Sequence, residues 1–414
     1  MKRLLGLALL VALINFGVLS PGSALPLVSD SISGRNNPKT KAAWTILVYA
    51  NAKNNLAKPM IQRIQEMERV GSTEQVKILL ELGIPKSPVR RYFITRSRVE
   101  GKRDDLSISS PIISEKNDVD MGSADTLASF VQWGQTNYPA EHFMLVICGH
   151  GNGWKGFSFD YEAGSAIDLL KLAPMLSRLA KFDILWFDMC YMQMAEVGYE
   201  LRNSADIIVA SEETLFPCRF REALSQVTAM PDMDREMLAD RIVKSNIAYW
   251  EQTPHTGPML LSAIRTSKLE AFAEALDAWA EAVLRADEAD FTARLLRESL
   301  SFYQKANYFD LYTLMETSEK LSANDVVKAT SRTLKKLITQ ELILTHGIID
   351  FPEDGRDYSR TRGIAIDFPA TKKAGRPWYY QLALSHFQNW HLLHRAVENN
   401  SPRVLQPGKA DRKK

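Results

Sequence analysis

The feature that most constrains this chain is a series of unbroken apolar, β-prone runs separated by helical patterns. "WTILVYA" (Trp44–Ala50), "QVKILLELG" (Gln75–Gly83), "HFMLVICGH" (His142–His150), "FDILWFDMC" (Phe182–Cys190) and "ADIIVAS" (Ala205–Ser211) show little polar alternation. Strands of this kind are buried on both faces, which is the situation of a parallel sheet covered by helices on either side. The intervening segments agree. Lys58–Val70 carries Met60, Ile61, Ile64 and Met67 at helical spacing. Ser123 opens a helix through Trp133, Leu172–Lys181 reads as another with Pro174 in its first turn, and "AEVGYELRN" follows the fourth run. "VRRYFITRSR" alternates as an edge strand does. The expected class is therefore α/β, a three-layer sandwich around a mostly parallel sheet.

Composition and the chain's ends narrow the setting. Residues 1–24 join Lys2 and Arg3 to an apolar run from Leu4 to Leu19, with small residues at Gly22 and Ala24, and read as a secretory signal. Residues 25–42 are a polar leader, 43–230 the α/β core and 231–400 a helix-rich region. In that last region Leu269–Leu284 and Ala323–Leu344 are the clearest helices, and Pro258–Ile264 and Gly363–Phe368 return strands to the fold. Residues 401–414 form a basic tail. The net charge of +2 equals the two charges of the signal, so the rest of the chain is balanced and shows no nucleic-acid footprint. No later apolar run is long enough for a membrane span. A protein outside the cytoplasm, secreted or periplasmic and monomeric, is expected. Three cysteines, Cys148, Cys190 and Cys218, are too few for a disulfide scaffold and have no CxxC spacing for zinc. His386, His391 and His394 lack accompanying carboxylates or thiols, and no metal site is expected there.

Chemistry concentrates where two runs end. In open parallel sheets, ligands bind beyond the carboxyl ends of the strands. "MLVICGHGNGW" delivers His150 among Gly149, Gly151 and Gly153, and "ILWFDMC" delivers Asp188 and Cys190. The separation of 40 positions between His150 and Cys190 fits one strand–helix–strand crossover, which makes the two strands parallel neighbours with both side chains on one rim. A helix beginning directly after Cys190 would favour its thiolate. His150 suits proton transfer near neutral pH, and the backbone N–H groups of Gly151 and Cys190 suit an oxyanion hole.

Further stretches extend this pattern along the chain. "WTILVYANAKNNLAKPMIQRIQEMERVGS", "GHGNGWKGFSFD", "FDMCYMQMAEVGYELRNSADIIVASEET", "ANYFDLYTLMETSEK" and "RGIAIDFPA…WYY" resemble, in order, the clostripain family of cysteine peptidases, whose fold is caspase-like. The resemblance implies an endopeptidase acting on proteins or peptides, with His150 and Cys190 as catalytic dyad and Gly151 supplying an oxyanion N–H. It also implies that Asp188 lies at the floor of the pocket for the residue before the cut, where the family prefers Arg or Lys. Where relatives continue with Glu-Pro and an Asp, this chain has Leu215, Phe216 and Cys218; Lys53 stands where an acid is common. Cys218 thus replaces the pocket's second acid, and Glu213 adjoins the altered stretch. A weakened preference for Arg or Lys is expected, and no cofactor: calcium is possible by resemblance but unsupported by these residues. Relatives often cut themselves between the dyad members; here residues 156–170 contain no Lys or Arg, so only Lys155 or Lys171 would serve. Two rival readings keep the same residues, a silent binding protein and a thiol acyltransferase or transpeptidase.

Overall fold

A computed structural model describes residues 41–97, 106–302, 305–370 and 377–400. The expected signal, nearly all of the leader and the basic tail lie outside the described residues. The first two apolar runs form β1 (Ala42–Asn51) and β2 (Val76–Gly83), followed by β3 (Val89–Phe93) and β4 (Ile112–Lys116). β5 (Ala140–Cys148) precedes a hairpin of β6 (Phe157–Asp160) and β7 (Ser165–Ile167). Then come β8 (Phe182–Asp188), β9 (Ala205–Ser211), β10 (Met259–Arg265), β11 (Ser301–Phe302), β12 (Lys305–Asp310), β13 (Ile343–Ile349) and β14 (Ala365–Asp367). Nine strands make one sheet in the order β13-β10-β9-β8-β5-β1-β2-β3-β4. The five central strands, from β9 to β2, are mutually parallel, and the two outer strands at each side run antiparallel to their neighbours.

Both faces are covered, as the unbroken runs require. α1 (Ala57–Val70), α5 (Phe220–Ala229) and α6 (Arg235–Glu251) bury Met60, Ile64, Phe220, Leu224 and Ile242 with Ile46, Val48, Ile184 and Trp186 of the strands. On the other face α2 (Ala124–Asn137), α3 (Leu169–Leu176), α4 (Ala195–Leu201) and α7 (Leu269–Ala286) pack on Leu47, Tyr49, Leu185 and Phe187. Successive residues of each strand therefore enter opposite layers, with side chains of about 1.5–3 kcal/mol of burial free energy each. α8 (Phe291–Glu298), α9 (Leu311–Leu321), α10 (Asp325–Leu337) and α11 (Gln388–Asn400) complete the helix-rich part, while β10 and β13 of that part join the main sheet.

Three elements depart from expectation. α3 starts earlier because the Asp168 side chain accepts from Leu170 N–H, and Pro174 falls late in a helix that ends at Leu176. The Ala323–Leu344 pattern is α10, a wide turn over Ile338–Leu342 and the start of β13, since the short apolar stretch at its end, Leu342–Leu344, fits helix and strand alike. β4 is mostly exposed and so lacked a hydrophobic signal.

Candidate active site

The site lies at the carboxyl end of the sheet, where the chain leaves β1 toward β2 on one side and places β5 on the other. Such a reversal opens a crevice between the loops. The loop after β1 is pinned to the loop after β5 by asparagines. Asn51 Nδ2 donates to the carbonyl of Ser158 at 2.9 Å, and Asn54 Nδ2 donates to that of Phe159 at 2.9 Å. His150 follows β5 and is half-buried; its carbonyl accepts from Ser158 N–H at 2.8 Å. Oδ1 of Asn55 meets Nε2 of His150 at 2.7 Å. An acceptor there holds the proton on Nε2 and leaves Nδ1 as the basic nitrogen. The exposed ring of Tyr161 lies parallel to the imidazole, centroids 6.0 Å apart at 10°.

β8 is the neighbour of β5, with Cys148 opposite Asp188 in register, so the two turns that follow emerge side by side. Their contact is close. A Cβ placed on Gly151 would stand 2.4 Å from the carbonyl oxygen of Cys190, which only a glycine avoids. Tyr191, directly after the cysteine, has φ 60°, a left-handed conformation costly for a bulky residue and held by its N–H to the Glu213 carbonyl at 3.1 Å. Cys190 is the one cysteine with partial exposure; Cys148 and Cys218 are buried. Its Sγ accepts from Leu215 N–H at 3.3 Å. Among the described residues the side-chain hydrogen bonds of His150 and Cys190 run to Asn55 and Leu215, not to each other, and the backbone N–H groups of Gly151 and Cys190 have no protein acceptor.

Burial raises the Cys190 thiol above its ordinary 9.0; the Leu215 N–H and Lys305 oppose this, and the carboxylates of Glu213 and Asp188 add to it. Burial lowers His150 below 6.5. Both shifts favour a neutral thiol beside a neutral imidazole. The helix expected to favour thiolate starts only at Ala195, five residues beyond the sulfur and outside the reach of its terminal dipole.

The expected pocket residues are arranged differently from an open two-acid floor. Asp188 points into the layer of α1, where its carboxylate is ion-paired with the buried guanidinium of Arg63. Its other oxygen accepts Cys218 N–H at 3.1 Å. Cys218 is fully buried in the core on that face, and its backbone supplies this N–H. Glu213 is buried and accepts Thr214 N–H at 2.8 Å. Lys53 donates to the Val119 carbonyl at 2.8 Å and stands 3.7 Å from Asp160 and 3.5 Å from Glu162. Lys155 is 3.4 Å from Asp367 and lies over the Trp154 and Tyr308 rings. Asp183 and Asp206 are ion-pair residues with Arg235, away from the rim. His394 is buried and stacked on Tyr379 at 4.0 Å, a packing role. Asn55 and Arg63 were not singled out from the sequence; the place of Asn55, just beyond the end of β1 at the sheet's reversal, was the available signal.

A thiol on a strained strand-end turn thus meets a histidine turn on the adjacent parallel strand. The model of the clostripain family, peptidase family C11, matches residues 48–391, and the chain belongs to that family. It is 25% identical over 234 residues to clostripain of Hathewaya histolytica; the match takes in 46% of this chain and 43% of that protein, less than half its length. Solved structures share the fold. A secreted C11 cysteine protease of Bacteroides thetaiotaomicron, in complex with an irreversible peptide inhibitor, superposes with TM-score 0.65 at 19% identity, covering 85% of this chain and 99% of that one. An inactive zymogen C11 protease of Parabacteroides distasonis gives 0.64 at 18% identity, covering 84% and 98%.

Proposed function

We propose that the protein is a cysteine endopeptidase with Cys190 as nucleophile and His150 as its proton-transfer partner. The observation that carries this is the contact of the two turns: the one partly exposed thiol sits where Gly151 meets Cys190, beside a histidine fixed by Asn55. In the step proposed, Sγ bonds to the scissile carbonyl carbon while Nδ1 of His150 takes the thiol proton. The carbonyl electron pair moves to oxygen, held by the N–H groups of Gly151 and Cys190. The C–N bond then breaks as His150 gives the proton to the leaving amine, and water, deprotonated by His150, releases the acyl group and restores the thiol. Every group in this sequence belongs to the chain or to water.

The substrate residue before the cut would lie against the Glu213–Cys218 segment, above Asp188. With that carboxylate already paired, any preference for Arg or Lys is expected to be weak. Export follows from the reading of residues 1–24, and among the described residues no helix is long and apolar enough to cross a membrane. Peptide mixtures read by product mass test the reaction: each cut should yield two products that together gain one water, and Cys190→Ala should yield none. Intact peptides would favour a binding protein, and joined products a transpeptidase. N-terminal sequencing of the exported protein should find Leu25 or a later residue.

A further inference from the structure

Arg63 stands where an arginine is out of place. It belongs to the face of α1 that carries Met60, Ile64 and Met67 into the core, and it is only 6% exposed. Arg is almost never buried unless paired, so what it pairs with is informative. Its partner is Asp188, two residues before the nucleophile. Burial works against the charge on Arg63, and Asp188, with smaller help from Cys148 and Cys218, more than offsets it. Arg63 Nε is itself buried with no partner among the described residues, and Nη1 meets the Asp188 carboxylate.

The segment after β9 ties this pair to the reacting sulfur. Leu215 N–H reaches Cys190 Sγ at 3.3 Å, and three residues later Cys218 N–H reaches Asp188 Oδ1 at 3.1 Å. A substrate side chain entering beside the sulfur and along this segment approaches a carboxylate with both oxygens engaged, one by a cation from within the chain. A second cation there finds both Asp188 oxygens engaged and meets the like charge of Arg63 in a site of low dielectric. An uncharged side chain meets neither cost, and Leu215 and Phe216, partly buried against the same core, offer it apolar contact.

We infer that Arg63 is a specificity-determining residue: an internal guanidinium occupies the carboxylate that would otherwise receive a basic substrate side chain, and directs the enzyme to uncharged residues before the cut. This rests on the endopeptidase reading above and names its substrate class. α1 follows directly on the loop that presents Asn55, so one segment both orients the histidine and neutralises the pocket acid.

The test uses the full-length secreted protein and peptides identical except for Leu, Met, Gln, Lys or Arg before the cut. The unmodified enzyme should show kcat/KM for Leu or Met at least about tenfold above that for Arg. Arg63→Gln should raise the Arg-to-Leu ratio by about tenfold or more, and Arg63→Lys, which keeps the internal charge, should leave it within about threefold of the unmodified value. A change in this ratio separates specificity from a merely structural role, which would lower all substrates together. Should Arg63→Gln fail to fold, the unmodified profile decides alone, supported by labelling rates of Cys190 with Leu- and Arg-bearing peptide chloromethyl ketones. Cys190-dependent hydrolysis with Arg or Lys preferred would overturn the inference and leave the endopeptidase reading intact, as would a folded Arg63→Gln with an unchanged ratio. Hydrolysis that survives Cys190→Ala, or its complete absence, would instead defeat the reading on which the inference rests.

Discussion

Cys190 and Asp188 lie two residues apart at one strand end, yet the structure treats them in opposite ways. Asp188 is buried with both oxygens engaged, one by Arg63 and one by the N–H of Cys218. Cys190 is partly exposed, carries one weak contact at 3.3 Å and is followed by a residue in a strained left-handed turn. The difference shows how one turn divides its duties. A charge in a layer of low dielectric must be satisfied, and satisfaction makes it inert toward ligands. A nucleophile must be left with an open side, and the cost of that is carried by the backbone that presents it.

The sharpest way to break the comparison is to remove each group in turn. Cys190→Ala should lower kcat/KM by at least about a thousandfold without loss of folding, measured with the best peptide found and by circular dichroism. Cys148→Ala, on the same rim but buried in register with Asp188, should keep activity within about threefold and lose about 1–3 kcal/mol of stability. Activity that follows Cys148 instead would reverse the assignment.

Removing the carboxylate should act on stability. Asp188→Ala leaves the Arg63 guanidinium buried without its partner, at a cost of about 3–5 kcal/mol in unfolding free energy by urea titration. The double variant Arg63→Met with Asp188→Leu should recover most of that loss, because apolar groups of similar volume replace a buried pair with little penalty. If Asp188→Ala is as stable as the unmodified protein, the ion pair is not what occupies the carboxylate.

This asymmetry also separates what could be read in the sequence from what could not. The parallel sheet was legible because β1, β2, β5, β8 and β9 are buried on both faces and their sequences have no polar alternation. The adjacency of β5 and β8 followed from one crossover, and with it the meeting of the His150 and Cys190 turns. The elements missed are those whose burial comes from partners far along the chain. β13 is a strand because β10 lies beside it, and the β6–β7 hairpin is too short to show a period. In the site, Arg63 looks like a solvent-facing helical residue until Asp188, 125 positions later, is placed against it. Reading Asp188 as a pocket acid left its pairing out for the same reason: spacing locates a carboxylate, but only packing shows whether its charge is already used.

Next in size is the residue that orients the base. Asn55 is exposed, so its substitution carries little folding cost, and its loss should be felt through His150 alone. Asn55→Ala should reduce kcat by about tenfold to a hundredfold with KM little changed, since it frees the imidazole to adopt the other tautomer. Asn55→Gln or Asn55→Asp, which keep an acceptor, should recover part of it. An equal loss with all three would point to the loop backbone rather than the Oδ1 contact.

The smallest effect expected is a shift in pH dependence, and it tests whether the open side of the turn works from neutral partners. Base catalysis needs His150 unprotonated. Because burial lowers its pKa from 6.5, the acid limb of kcat/KM should lie below pH 6.5, and because the thiol is raised above 9.0, no second limb should appear between pH 7 and 9. A resting thiolate–imidazolium pair would give the opposite pattern, with activity falling as the imidazolium loses its proton. The Tyr161 ring, exposed itself, lies parallel to the imidazole with centroids 6.0 Å apart, and is expected to limit water on that face. Tyr161→Ala should restore some of that hydration, favour the protonated form and move the acid limb upward by less than about one pH unit, while leaving the plateau rate within about threefold. A downward shift would mean that the ring stabilises the imidazolium instead. The dyad would then rest charged, and its contrast with the paired Asp188 would lie in exposure alone.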